Sequence, residues 1–202
     1  MSSHCEKWGF KVEKSKDLYV VVFISRNKDN KDVVNFKERR KAFITTKSPE
    51  ELKRTFEHFV KDGVDGEMSR FYYSVNARDA DKVKKRLLHF LIDEDFNLAH
   101  LDGKLASIAA KKECAKTKRW MFDFDLDDNV AVSNFLINIS KCVTEPLQTE
   151  VRKTPHGYAI ITERGFDTRK LGLDDMWYNI ATLKKDDLLC YTWERKDERD
   201  EV

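Results

Sequence analysis

Asp123, Asp125 and Asp127 recur at every second position in the run MFDFDLDD, which is otherwise aromatic and aliphatic. In a strand, alternate side chains project to the same face, so these carboxylates should project together while the intervening apolar residues enter the core. Carboxylates about 7 Å apart along a strand repel each other unless a cation lies between them. Hard divalent ions such as Mg²⁺ or Mn²⁺ take oxygen ligands and leave positions open for substrate phosphates. The pattern predicts a divalent-metal site; the alternative is a solvent-facing strand whose last aspartates cap the next helix.

A second group of chemically useful residues lies in the sequence RKTPHGY. Pro155 and Gly157 predict a tight turn between two strands. Lys153, Thr154 and His156 add a cation, a hydroxyl and an imidazole next to the backbone N–H groups of that turn. Turns of this kind can hold phosphate through a nest of N–H groups assisted by a cation. The interpretation is a phosphate-binding turn, and the alternative is an ordinary hairpin turn with charged flanks.

The elements that carry both groups follow an informative order in the second half of the chain. Hydrophobic spacing predicts these elements: strand 119–125, helix 130–142, strands 148–153 and 158–162, a weaker helix near 174–182, and strand 188–194,. This is the β-α-β-β-α-β order of a ferredoxin-like sheet, in which the first strand is central. We therefore expect Asp123 and Asp125 in the middle of the sheet, flanked by strands 158–162 and 188–194.

The first half of the chain predicts an α/β unit. Strands are predicted at 18–25, 42–45 and 70–76, and helices from 49 to about 62, from 80 onward and over 105–114,. Ser48 and Glu51 have the residue types and spacing of a capping box. Asp79 is predicted to cap the second helix. The predicted buried face of that helix consists of Val83, Leu87, Leu88 and Leu91.

Composition limits the class of protein. The 202 residues suggest a single domain, and 38 basic against 36 acidic residues exclude a uniformly basic nucleic-acid coat, although not a local basic patch,. Such a patch is indicated on the approach to the aspartate strand, by Lys111, Lys112, Lys116, Lys118 and Arg119. The N-terminal residues contain no apolar core, and no run of 18 apolar residues occurs,. We expect a cytoplasmic protein with no membrane partner.

The motifs together resemble those of the archaeo-eukaryotic primase superfamily of primases and primase-polymerases, which includes phage and plasmid members. The resemblance consists of a hydrophobic Asp-x-Asp strand, the Lys-Thr-Pro-x-Gly-Tyr turn after it, and the Ser-Val-Asn-Ala-Arg end of an aromatic strand before it. It covers residues 70–194. It implies one α+β primase-type domain, in which an N-terminal α/β unit, 1–115, joins an RRM-like, ferredoxin-like unit, 116–195. A flexible tail, 196–202, would follow.

The resemblance implies metal-dependent nucleotidyl transfer on DNA or RNA, with catalytic Asp123 and Asp125 holding Mg²⁺ or Mn²⁺. Asp187 is favoured over Glu194 as the third metal-binding carboxylate. The phosphates of a nucleoside triphosphate would be held by Lys153, Thr154 and Gly157 of the turn, with Asn76 and Arg78 on the opposite wall. No Gly-x-x-x-x-Gly-Lys loop occurs in the sequence, so unwinding would require a separate helicase or replication protein,.

One position departs from the family pattern. Members carry a histidine two residues after the turn glycine, where this chain has Ala159. His156, inside the turn, is the candidate to contact phosphate in its place. Two alternatives therefore stay open beside nucleotidyl transfer. One is a non-catalytic member of the fold that binds nucleotide or nucleic acid, and the other is a metal-dependent nuclease or phosphodiesterase.

Overall fold

The computed structural model describes residues 17–93, 97–171, 181–184 and 186–196. Within these ranges the chain forms two four-stranded antiparallel sheets and four α-helices, which confirms the predicted α+β class. The strands are β1 Tyr19–Ser25, β2 Arg39–Thr45, β3 Met68–Tyr73, β4 Trp120–Phe124, β5 Thr149–Thr154, β6 Gly157–Thr162, β7 Ala181–Lys184 and β8 Leu188–Glu194. The helices are α1 Pro49–Lys61, α2 Ala80–Asp93, α3 Leu101–Ala109 and α4 Asn129–Cys142. None of these helices has the length and apolar character needed to cross a bilayer,.

The first sheet has the strand order β2-β1-β3-β8 and carries helices on both faces. The predicted capping box at the start of α1 is present, because the Glu51 backbone N–H donates to the Ser48 hydroxyl and the Ser48 N–H donates to the Glu51 carboxylate. The apolar stripe of α1 packs on alternate residues of β1 and β3, centred on Phe23 and Phe71, whose ring centroids lie 4.8 Å apart. On the other face, α3 lies against β2 and β1.

The buried face predicted for α2 is partly wrong. Val83 is 3% exposed as expected, whereas Leu88 and Leu91 are 52% and 41% exposed, and Phe90 is buried in their place. The reason is that α2 packs on α3 and on the 3₁₀ turn Lys112–Cys114, and α3 in turn covers the sheet. An outer helix of this kind buries a narrower stripe than one lying directly on a sheet.

The second sheet has the strand order β5-β6-β4-β7 and places β4 in its interior, as predicted. β6 flanks β4 as expected, but the other flank is β7, where we predicted residues 188–194. Those residues form β8, which pairs with β3 in the first sheet. Residues 181 and 182, predicted as the end of a helix, belong instead to β7, which fills the edge position. Residues 172–180, which contain the rest of that predicted helix, lie outside the described residues.

The two faces of the second sheet have different neighbours. One face packs against α4, with Phe122 and Phe124 against Phe135. The opposite face meets the first sheet through a small apolar cluster, which consists of Val75, Met121, Ala159, Ile161 and Leu188. Because β8 returns to the first sheet, the chain passes between the two sheets more than once. Apart from Lys196, the predicted tail lies outside the described residues.

Candidate functional site

Asp123 lies in the middle of a row of residues that crosses the second sheet. In the strand register Asp123 is opposite Ala159 on β6 and opposite Thr182 on β7, and Ala159 is in turn opposite Arg152 on β5. Residues directly opposite each other in antiparallel strands project to the same side. We call this row the Asp123 face. Met121 and Ala159 contact the first sheet from this side, so the Asp123 carboxylate, which is half-buried, projects toward the junction of the two sheets.

The predicted turn lies directly against the second aspartate. Asp125 follows the last residue of β4 and is exposed. Gly157 has a φ of +154°, and a Cβ atom on it would lie 2.2 Å from the carbonyl oxygen of Phe124 and 2.8 Å from the backbone N of Leu126. Only glycine permits so close an approach of these two backbone segments. The structure thus brings the turn and the backbone of Asp125 together.

Lys153 does not share the face of Asp123. It is opposite Tyr158, one position out of step with the pair of Arg152 and Ala159, so strand alternation turns it to the other side of the sheet,. There its ammonium forms an ion pair with Asp127 and lies 4.5 Å from the centroid of the Tyr158 ring. The hydrogen bond from Lys153 lowers the pKa of Asp127, and the same bond raises the pKa of Lys153. Arg152, the neighbour of Lys153, therefore takes the place beside Asp123 that the sequence analysis gave to Lys153.

Arg152 lies on the Asp123 face, a placement that the sequence analysis did not predict. Its Nε donates to the carboxylate of Glu150, which also accepts a hydrogen bond from Arg119. Partial burial on its own would raise the pKa of Glu150, but the two arginines outweigh it and the pKa is lowered. The sequence did contain a signal, because a two-residue hairpin turn fixes the register and with it the side on which each residue lies.

Asn76 and Arg78 make their side-chain contacts inside the protein. The side chain of Asn76 is buried; its oxygen accepts from the backbone N of Arg119 at 2.7 Å, and its amide donates to the Arg119 carbonyl at 3.0 Å. Arg78 is also buried, and its guanidinium forms an ion pair with Asp186. Asn76 therefore fixes the approach to β4 against the end of β3, and Arg78 fixes the approach to β8. Both side chains are therefore engaged in contacts within the protein.

The remaining predicted site residues fall into different environments. His156 is exposed at the tip of the turn, and Thr154 is buried where β5 ends opposite Gly157. Asp187 is exposed, immediately before β8, with a left-handed φ of 70°. Glu194 lies at the opposite end of β8, which at the usual strand rise is about 20 Å from Leu188,. The strand geometry thus favours Asp187 over Glu194 as a neighbour of this site.

The donor chemistry of the aspartate pair fits a hard divalent ion. Mg²⁺ is held by one or two carboxylates and fills its other positions with water and substrate phosphates. Asp123 and Asp125 would supply those carboxylates. Among the described residues, no three His, Cys, Asp or Glu side chains are grouped around a common point that could hold a metal, so Asp187 does not join the pair in this arrangement.

Comparison with known proteins adds no relative. The chain matches no protein-family model, no curated protein and no solved structure. What can be said of function therefore rests on the residues, their arrangement and the resemblance of the motifs.

Proposed function

We propose that this protein is a metal-dependent nucleotidyltransferase of primase-like fold that acts on nucleic acid. The observation that supports this best is the placement of Asp123 in the interior strand of the second sheet, with the Gly157 turn pressed against the backbone of Asp125. Phosphoryl transfer requires little from a protein beyond positioning and stabilisation of charge. Two carboxylates, a nearby cation and a tight turn are parts of that kind.

Each part has a distinct role in this proposal. Asp123 and Asp125 would hold Mg²⁺ or Mn²⁺, which when bound neutralises charge on the transferring phosphates. Arg152 would exchange its exposed contact with Glu150 for a phosphate oxygen of the nucleoside triphosphate, since guanidinium groups match phosphate geometry well,. The protein would work in the cytoplasm beside a separate helicase or replication protein.

The experiment that tests the proposal is incorporation of labelled nucleotide on primed and unprimed DNA and RNA templates, with Mg²⁺ or Mn²⁺. We expect incorporation by the wild type and a loss of roughly 1000-fold in Asp123→Asn, because several kcal/mol of charge stabilisation is removed. Asp127→Asn is the matched control, since this neighbouring aspartate pairs with Lys153 on the other face. Equal incorporation by both variants would contradict the proposal.

A second candidate function is binding of nucleotide or nucleic acid without catalysis. It is favoured by Ala159, which has no exposed surface and packs in the apolar cluster with Met121 and Leu188. Family members carry their histidine at this position, opposite Asp123. Under the catalytic proposal, Ala159→His should raise turnover. Under the second candidate, wild type and Ala159→His both bind triphosphate but neither incorporates it. Thermal melting of the variant checks that the larger side chain is accommodated.

A further inference from the structure

A cavity of about 650 Å³ opens between α2 and α3, on the side of the first sheet that faces away from α1. We call it the α2–α3 pocket. Its lining has a strong excess of positive charge, although the whole chain carries nearly equal numbers of basic and acidic residues. The charged side chains that line it are Lys82, Lys85, Arg86, Lys104, Lys111 and Glu113.

Several of these cations have weak partners or none. Arg86 lies 3.7 Å from Glu113, in a pair whose side chains are 41% and 64% exposed. Such exposed pairs contribute little and are readily exchanged for another anion. In the described part of the chain, Lys85 and Lys111 have no carboxylate within ion-pair distance. The pocket therefore holds at least two ammonium groups that are available to an anionic ligand.

The pocket also has a defined shape. Phe90 and Ile108, which are 9% and 4% exposed, form its apolar floor. The ammonium of Lys104 lies 3.9 Å from the centroid of the Phe90 ring. Lys82, with Lys85 and Arg86 three and four positions later, forms a stripe about 6 Å long on one face of α2. A stripe of point charges above an apolar floor suits an extended polyanion.

The chain itself leads from this pocket to the second sheet. Lys111 lines the pocket, and nine residues later the chain enters β4, which carries Asp123. Three exposed lysines follow along this connection: Lys112, Lys118, and Lys116, which pairs with Asp17. At its end, the backbone of Arg119 is held by Asn76. A polyanion seated in the pocket would thus meet further positive charge in the direction of the Asp123 face.

We propose that the α2–α3 pocket binds the phosphate backbone of a nucleic-acid strand. Lysine ammonium groups neutralise phosphates without reading base edges, so binding here would be independent of sequence and sensitive to salt. The choice of a nucleic-acid strand as the ligand rests on the proposed function. The pocket itself contains none of the residues assigned to nucleotidyl transfer.

Fluorescence anisotropy of a labelled single-stranded DNA or RNA 20-mer, measured over a series of salt concentrations, tests this proposal. The test variant is Lys85→Ala with Lys111→Ala. The matched control is Lys61→Ala with Lys84→Ala, which removes equal charge at exposed positions outside the lining. Losing two phosphate contacts should lower the slope of log affinity against log salt by about 1.4. Binding should be about 25-fold weaker at 0.1 M salt if the affinities converge at 1 M.

The control should keep most of the wild-type slope and affinity. Equal weakening in both double variants would overturn the proposal, because it would show a general effect of surface charge. Weakened binding of labelled ATP or inorganic phosphate with unchanged strand binding would also overturn it, since the pocket would then hold a small anion. Failure of the proposed function gives a different result: wild type incorporates no nucleotide, while strand binding still depends on Lys85 and Lys111.

Discussion

The Asp123 face and the α2–α3 pocket both bring positive charge to one place, yet they use it differently. On the second sheet, Arg152 and Arg119 share the carboxylate of Glu150, and nearby Arg78 is buried against Asp186. In the pocket, Lys85 and Lys111 have no carboxylate partner among the described residues. A count of cations therefore does not distinguish charges that already have carboxylate partners from charges that have none. We therefore expect substitution of the buried Arg78 to cost stability, and substitutions in the pocket to cost only ligand affinity.

The largest expected effect on stability is at the contact between the turn and β4. Gly157→Ala should lower the free energy of unfolding by about 4 kcal/mol, because it adds a backbone clash to an unfavourable φ,. Gly66→Ala is the matched control, since Gly66 also has a positive φ, of 75°, but nothing lies within 4 Å of an added Cβ. That control should lose about 1–2 kcal/mol. Urea denaturation measures the free energy of unfolding of both variants. Equal losses would contradict the prediction, because the backbone clash at Gly157 would then add nothing.

A second prediction compares one cation from each region. Arg78→Met should lower the free energy of unfolding by about 3 kcal/mol, because it removes the partner of Asp186 from a pair in which Arg78 is 3% exposed,. Lys111→Met in the pocket should change it by less than about 0.5 kcal/mol, as is usual for an exposed position,. The same denaturation curves test this pair of variants. An unchanged free energy of unfolding in Arg78→Met would contradict the structural role and make Arg78 a candidate for ligand binding again.

A smaller effect should appear in the pH dependence of stability. The folded protein lowers the pKa of Glu150, so its contribution is present above the unfolded value of about 4.3 and is lost as pH falls through the folded value,. Because Glu150 is 39% exposed, solvent screening should keep the contribution below about 1 kcal/mol,. Wild type should be slightly more stable than Glu150→Gln at pH 7 and lose that advantage in acid. A gap that stays constant with pH would argue against the pairing with Arg119 and Arg152.

Much of the fold could be predicted because local rules agreed with it. The Ser48 capping box and the interior position of β4 followed from residue type and spacing. The last aspartate of the run, Asp128, accepts from the first N–H groups of α4, as the capping alternative expected, while Asp123 remains on the strand. These features depend on short segments whose pattern is strong.

Other features depend on contacts far apart in sequence. Residues 181–184, Ala-Thr-Leu-Lys, are too few to show strand periodicity, so β8 was assigned the edge position that β7 occupies. The apolar residues of β8 would have suited either sheet, and their packing against the aromatic cluster of the first sheet decides between them. The hairpin register places Arg152 on the side of Asp123, whereas the phosphate motif by itself favours Lys153. The exposed face of α2 followed only from its packing on α3.

Calorimetric titration with Mn²⁺ determines whether Asp123 and Asp125 form a divalent-metal site. Wild type should bind Mn²⁺ more tightly in the presence of a nonhydrolysable nucleoside triphosphate, since phosphate oxygens complete the coordination of such ions. Asp123→Asn should lose this binding while remaining folded, and Asp127→Asn should retain it. Equal Mn²⁺ binding by wild type and both variants would show that Asp123 is not a metal ligand.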